Sequence, residues 1–277
     1  MSKKASRGFT LIELLVVISI ISLLSSIVYA FLSGARESAR IAAGMQFDAS
    51  VLHGIGDQLI GEWKFDDNSN PTLDTSGFNN NGTVNNAIWN SSGGYNNRGF
   101  YNFDQTNNSI TIPINSISNE LTITTWVKNT TGTPGGIITK GLSGFVWAFY
   151  LSFGSGTLSF GPYYGFQHYL NYPWTGSLLK GWHFIAVTAN IATATKQGHT
   201  QLYIDGVKVL ENSFSEADNY PFNLSGGYPT IMGSFDNPTS SYSLDNVRIY
   251  SASLTAMDVQ KLYAEEFPSH QQDLAVK

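Results

Sequence analysis

The sequence predicts a mainly β protein, a single jelly-roll β-sandwich carried behind one long N-terminal α-helix. Two changes of period predict this, and composition agrees. Residues 9–32 are almost unbroken apolar, and small or apolar residues then recur at spacings of three and four as far as Leu52, which marks one face of a helix. Beyond Gly56 the period falls to two. Short runs such as LIGEWKF, LTITTWVK and WHFIAVTA are separated by Gly, Asn, Ser and Pro clusters, the pattern of many short strands joined by turns. With 42% hydrophobic and 13% charged residues among 277, the chain has enough material for a core and is not a disordered segment.

The N-terminal segment opens with Lys3, Lys4 and Arg7, and the apolar run that follows has Glu13 as its only charge. The run is long enough to span a bilayer as a helix, and the flanking positive charge keeps the extreme N-terminus cytoplasmic. A cleavable secretory signal is the alternative, with residues 26–30 as its small-x-small site. The helical face continues past that point, however, through Ala35, Ala39, Ala42, Met45, Ala49 and Leu52, with Arg36, Glu37, Arg40 and Asp48 off it and no proline before Pro71. One continuous helix of about 45 residues, roughly 65–70 Å long, is the expectation. Within it Glu13 is anomalous, because a carboxylate at mid-bilayer costs roughly 2.5–3.5 kcal/mol.

KKASRGFTLIELLVVISIISLLSSIV resembles the prepilin signature of bacterial type IV pilins and type II secretion pseudopilins. The resemblance implies a leader at residues 1–8, a transmembrane and assembly helix at 9–56, cleavage after Gly8 by a prepilin peptidase, and methylation of Phe9. It also gives Glu13 a role. As the fifth residue of the mature chain it would pair with the N-terminal ammonium of a neighbouring subunit, so that an expensive charge is offset only on correct docking.

The strand runs come in order: LIGEWKF with Leu59, Gly61, Trp63 and Phe65 on one face, then RGFYNF at 98, SITIPI at 109, LTITTWVK at 121, VWAFYLSF at 146, TLSFG at 157, WHFIAVTA at 182, QLYIDGVKVL at 201, TIMG at 230 and SLDNVRIY at 243. Asp205-Gly206 between alternating apolar residues predicts a two-residue hairpin turn. LTAMDVQKLYAEE from Leu254 predicts a closing helix. The sandwich is expected over residues 57–266, with 267–277 a loose tail and the Asn-rich stretch 79–97 a solvated loop. Residues 59–263 resemble a LamG-like (concanavalin A-like lectin/glucanase) domain through LIGEWKFDD, LDTSGFNNNGTV, YNFD, LTITTWVK, GWHFIAVTA, LYIDGVKV and LDNVRIYSASLTAMDVQKLY. That resemblance implies a structural calcium ion between the first and last strands, at positions matching Asp66 and Asp245. By alternation, Asp245 should share the face of Val247 and Ile249.

Other chemistry is mostly excluded. The formal charge is −5, and loss of the leader's three basic residues leaves 12 basic against 20 acidic, or −8; no basic patch suits nucleic acid. There is no cysteine for disulfides or thiolate metal sites. Glycoside hydrolysis needs two facing carboxylates. No E-x-D-x-E or E-x-D-x-x-E run occurs, and the nearest acidic pairs, Glu62 with Asp66 and Asp66 with Asp67, fall at a strand end. His183, within a strand run, reads as a core or rim histidine, at a position where the LamG-like resemblance implies a packing or hydrogen-bonding residue. In GPYYGFQHYLNYPWTG, Tyr163, Tyr164, Tyr169, Tyr172 and Trp174 are candidates for stacking on sugar rings, with core filling as the alternative.

Together the resemblances imply a non-enzymatic pilin-like filament subunit with a lectin-like head for adhesion or glycan binding. Its partners would be prepilin peptidase, copies of itself or other pilins, the inner membrane before assembly, and glycans. A secretion pseudopilin with an architectural head and a membrane-tethered carbohydrate-active enzyme are the alternatives.

Overall fold

The computed structural model describes residues 11–12, 14–22, 24–25, 54–104, 108–114, 119–142, 146–162, 170–192, 197–215, 230–233 and 241–274. The chain divides into two compact units, Met1–Gly54 and Ile55–Lys277. In the first, every described residue between 11 and 25 is helical (α1), and its large apolar side chains from Leu11 to Leu24 are exposed. Ser19 and Ser22 donate their hydroxyls to the carbonyls of Leu15 and Ile18, each at 2.7 Å, so these polar groups are satisfied within an apolar helix. Gly8, Phe9 and Glu13 lie outside the described residues. Among the described residues no helix is long and apolar enough to cross a membrane.

The second unit is a sandwich of two antiparallel sheets. One runs β13 (Val207–Ser215), β12 (Gln197–Ile204), β11 (His183–Ala192), β6 (Glu120–Lys128), β15 (Tyr242–Tyr250), β4 (Phe100–Phe103) and β3 (Ile88–Asn90), with β1 (Leu59–Trp63) also paired to β15. The other runs β10 (Leu170–Pro173), β9 (Thr157–Pro162), β8 (Val146–Gly154), β7 (Gly135–Leu142), β14 (Thr230–Gly233), β5 (Ser109–Ile112) and β2 (Thr83–Asn85). Alternate residues interdigitate between the sheets, with Trp63, Ile123, Val127, Val187 and Ile249 from one and Ile110, Ile138, Phe149, Leu151 and Phe160 from the other all buried. The ring of Trp63 lies across Gly61, where any Cβ would overlap it. Asp205 and Gly206 take φ of +50° and +75°, the paired positive values that a tight hairpin turn demands.

Helix α2 (Ala256–Leu274) covers the outer face of the β1-containing sheet, with Tyr263 packed on Gly206, Phe184 and Trp126. Two expectations are corrected. The segment expected as a tail from Phe267 is helical as far as Leu274, and Phe267 packs on Tyr263. Residues 79–97 are not only a solvated loop: they contribute β2 and β3 and bury Gly94 and Tyr95.

Candidate functional site

Strand β15 pairs with two different strands on one side. Its first part, Tyr242 to Leu244, pairs with β4, and its last part, Val247 to Tyr250, pairs with β1. Asp245 and Asn246 fall in the gap. Here β15 also carries a bulge against β6: Asp245 faces Trp126 and Arg248 faces Thr124, so three steps on one strand match two on the other. Asn246 absorbs the extra residue with φ +43°. The bulge resets the alternation, which corrects the expected facing. Asp245 pairs with Trp126 on the outer face, under α2, while Val247 and Ile249 point into the core.

Asp245 is fully buried. Its Oδ2 accepts the backbone N–H of Tyr95 at 3.0 Å and its Oδ1 that of Asn246 at 2.7 Å. Gly94 makes this approach feasible, because a Cβ there would overlap Asp245 Oδ2. Burial pushes the Asp245 carboxyl well above the usual range, and the charge of Asp66 adds to that push. Asp66 follows β1 across the same gap. Burial raises its carboxyl too, against the opposing pull of Arg98, Asn96 and the Gly99 amide. Asp66 Oδ1 and Asn246 Oδ1 are both buried without a hydrogen-bond partner.

Carboxylates and amide oxygens are the hard donors that a calcium-like cation takes, and Asp66 Oδ1 and Asn246 Oδ1 are the ones here that no hydrogen bond occupies. The set is short on acids: among the described residues, no three or more His, Asp or Glu side chains gather as metal ligands. Amide and carbonyl oxygens would have to complete the shell.

Beside this gap lies a cluster that sequence reasoning missed. Arg248 donates to Glu62 Oε1 at 2.7 Å and pairs with Glu266 of α2, and Trp126 Nε1 also donates to Glu266. Burial opposes ionisation of Glu62, yet Arg248 and the Thr75 hydroxyl hold its carboxyl below the usual range. For Glu266, burial prevails over Arg248 and Trp126, and its carboxyl is raised. Tyr95 stacks on Trp126 at 4.5 Å and 8°, which joins the cluster to the gap.

The proposed sugar-stacking aromatics separate. Tyr163, Tyr164 and Tyr169 lie outside the described residues. Trp174 is corrected to a core residue: it is 1% exposed, its Nε1 donates to the carbonyl of Asn129 at 3.0 Å, and Phe153 meets it edge-on at 4.9 Å. No ring face is left for a ligand. Tyr172, on the same face of β10 as Leu170, packs partly against the core, is partly exposed, and lines a cleft of about 350 Å³ with Pro173, Thr175, Ser177, Leu178, Ile204 and Val209. Behind the cleft, His183 Nδ1 lies 2.8 Å from Asp205 Oδ2.

A model of the concanavalin A-like lectin/glucanases superfamily matches residues 104–260, and one of the prokaryotic N-terminal methylation motif matches residues 3–29. No curated protein matches the chain. Among solved structures, the receptor binding domain of botulinum neurotoxin D is similar at 19% identity and TM-score 0.59, over 76% of this chain and 54% of that one. The serotype D ligand binding domain solved in complex with N-acetylneuraminic acid matches at 18% identity and TM-score 0.59, over 77% and 52%. The binding domain of Paraclostridial Mosquitocidal Protein 1 matches at 18% and 0.59, over 77% and 53%. The chain thus spans about half the length of these structures, and at such identities the likeness is one of fold.

Proposed function

Because this chain belongs to the concanavalin A-like lectin/glucanase superfamily and carries a prokaryotic N-terminal methylation motif, we propose that it is a non-enzymatic, type IV pilin-like filament subunit whose lectin-like head binds carbohydrate. One observation carries the reading: an assembly signal and a ligand-binding type of sandwich occur on the same chain. Prepilin peptidase cuts after Gly8 and methylates Phe9. The exposed apolar helix then exchanges lipid for copies of itself or other pilins, a head-to-tail contact that propagates as an open array. Glu13 meets the new N-terminal ammonium of its neighbour in that array. The chain passes from the inner membrane to an extracellular or periplasmic filament, and its head reaches surface glycans. The sialic acid bound by the toxin domain above supports the ligand class only through the shared fold.

The same reading includes one structural calcium ion, held by Asp66, Asp245 and the Asn246 amide oxygen. It would offset buried negative charge and take no part in chemistry.

The test of the filament reading is the intact mass and N-terminal residue of the protein recovered from its host, together with filament incorporation of Glu13→Ala. A chain starting at N-methylated Phe9, and loss of incorporation by the variant with membrane insertion intact, is the expected result. A chain retaining Met1, or one cut beyond residue 30, overturns it.

A further inference from the structure

The two sheets leave a seam on one side. β10 is the outermost strand of its sheet and β13 of the other, and they approach one another there. The seam is floored by Tyr172, Leu178, Ile204 and Val209, and Thr175 and Ser177 stand at its rim on the 3₁₀ turn Gly176–Leu179. We propose that this seam is the head's ligand site, that it takes one sugar ring laid on Tyr172, and that His183 is its positioning residue. The proposal rests on the carbohydrate-binding reading above and gives it a place.

Three features select a sugar. The cleft, about 350 Å³, is near the lower bound of small-molecule sites, about 300 Å³. Its lining joins an aromatic face to hydroxyls, which suits a ring with one apolar face and a polar rim. The alternative occupant of a sheet edge, an added peptide strand, is disfavoured on both sides. β10 has only four residues and ends in Pro173, which has no N–H to give. β13 carries the Lys208–Glu211 ion pair at 2.5 Å.

His183 lies between the two walls. Its Nδ1 is 2.8 Å from Asp205 Oδ2 in the turn next to Ile204, and Asp205 Oδ1 also accepts the Phe184 N–H at 3.0 Å. Its Nε2 is buried without a hydrogen-bond partner, and the backbones of Ser177 and Lys180, in the wall that carries Leu178, favour the charged ring. Around it, Trp174 stands perpendicular at 5.8 Å, Val127 is its neighbour on β6, Lys180 is exposed and the Tyr263 hydroxyl feels Asp205. Asp205 is the acid that faces the imidazole. Neutral imidazole has one donor and ties one wall. Imidazolium has two, and ties both. Burial opposes the charged form, but Asp205 and those two backbones outweigh it and raise the pKa above the ordinary histidine value. The tie is therefore complete below about pH 6.5, the unperturbed value, and is lost as pH rises through the raised one.

The test is binding of the full chain in detergent to a panel of glucose, galactose, mannose, N-acetylglucosamine and N-acetylneuraminic acid, read by saturation-transfer NMR and calorimetry at pH 6 and pH 8. At least one sugar should bind, roughly fivefold more tightly at pH 6. Tyr172→Ala should weaken it at least about tenfold. Ser177→Phe, which fills the cleft from an exposed position without touching the core, should abolish it. His183→Gln should bind with no pH dependence. If a sugar binds but Ser177→Phe leaves it unchanged, the seam is not the site and the carbohydrate reading stands. If His183→Gln keeps the wild-type pH profile, His183 is not the positioning residue. If no sugar in the panel binds at either pH, both the seam and the carbohydrate reading fall.

Discussion

Arg248 and Asp245 lie three residues apart on one strand, on the same outer face of the same sheet, and their surroundings are opposite. Around Arg248 two buried carboxylates share one guanidinium, with an indole N–H and a threonine hydroxyl as further donors. Around Asp245 there are backbone N–H donors, a second acid and two unpartnered oxygens. Burial disfavours ionisation at both places. Only the first supplies a buried cation, since Arg98, 3.6 Å from Asp66, is largely exposed. The contrast teaches that the first cluster is a complete structural device, fastening α2 and β1 to β15, whereas the second has no buried cation to balance its acids.

The largest test removes the cation from the complete side. Arg248→Met should lower head stability by roughly 3–5 kcal/mol, because it leaves Glu62 and Glu266 buried and unpaired. Urea denaturation followed by tryptophan fluorescence reads this cleanly, since all six tryptophans lie in the head. Adding Glu62→Gln and Glu266→Gln to the same variant should recover more than half of the loss. A single variant as stable as the parent would mean the pair is merely adjacent and α2 is held by its apolar face alone.

The next test supplies a cation to the deficient side. A carboxyl whose folded pKa is raised holds its proton when the unfolded chain has released it near pH 4. Its contribution is complete at low pH and is lost as pH rises through the raised value. Without calcium, the parent should therefore lose stability relative to Asp245→Asn as pH rises above about 4; Glu62 and Asp74, both lowered, act in the opposite sense and cancel in that difference. Calcium at about a hundred times its Kd should add roughly 2.7 kcal/mol to the parent and nothing to Asp245→Asn. An unresponsive parent would mean the proton alone completes the site.

What the sequence revealed follows the same physics. β6, β11, β12 and β15 were legible because each has one face in the core and so shows period-two alternation, and Asp205-Gly206 because only special residues fit that turn. β2 and β3, three residues each at sheet edges, bury too little to alternate, and the glycines of GGIITKGL obscure β7. The extension of α2 past Pro268 was hidden because proline normally ends a helix. At the site, Asp66 and Asp245 came from resemblance, but the facing of Asp245 was misjudged because alternation assumes an unbroken ladder. The Asp-Asn pair inside LDNVRIY was the available signal, since Asn tolerates positive φ. Trp174 misled for the converse reason: an aromatic-rich stretch does not say which rings face the core.

The smallest effect asks whether the complete side depends on how α2 begins. Thr255 and Asp258 cap the helix reciprocally: the Thr255 N–H reaches Asp258 Oδ2 at 2.9 Å, and the Asp258 N–H reaches Thr255 Oγ1 at 3.3 Å. Asp258 also lies in the first turn, where negative charge suits the helix dipole. Thr255→Ala should cost about 1 kcal/mol. If the cap and the Arg248 cluster fasten one rigid helix, the losses of Thr255→Ala and Arg248→Met should be less than additive, because a helix already released from Glu266 gains little from its cap. Strict additivity would mean that α2 frays from its first turn independently of Glu266, and that the cluster fastens only the middle of the helix to the sheet.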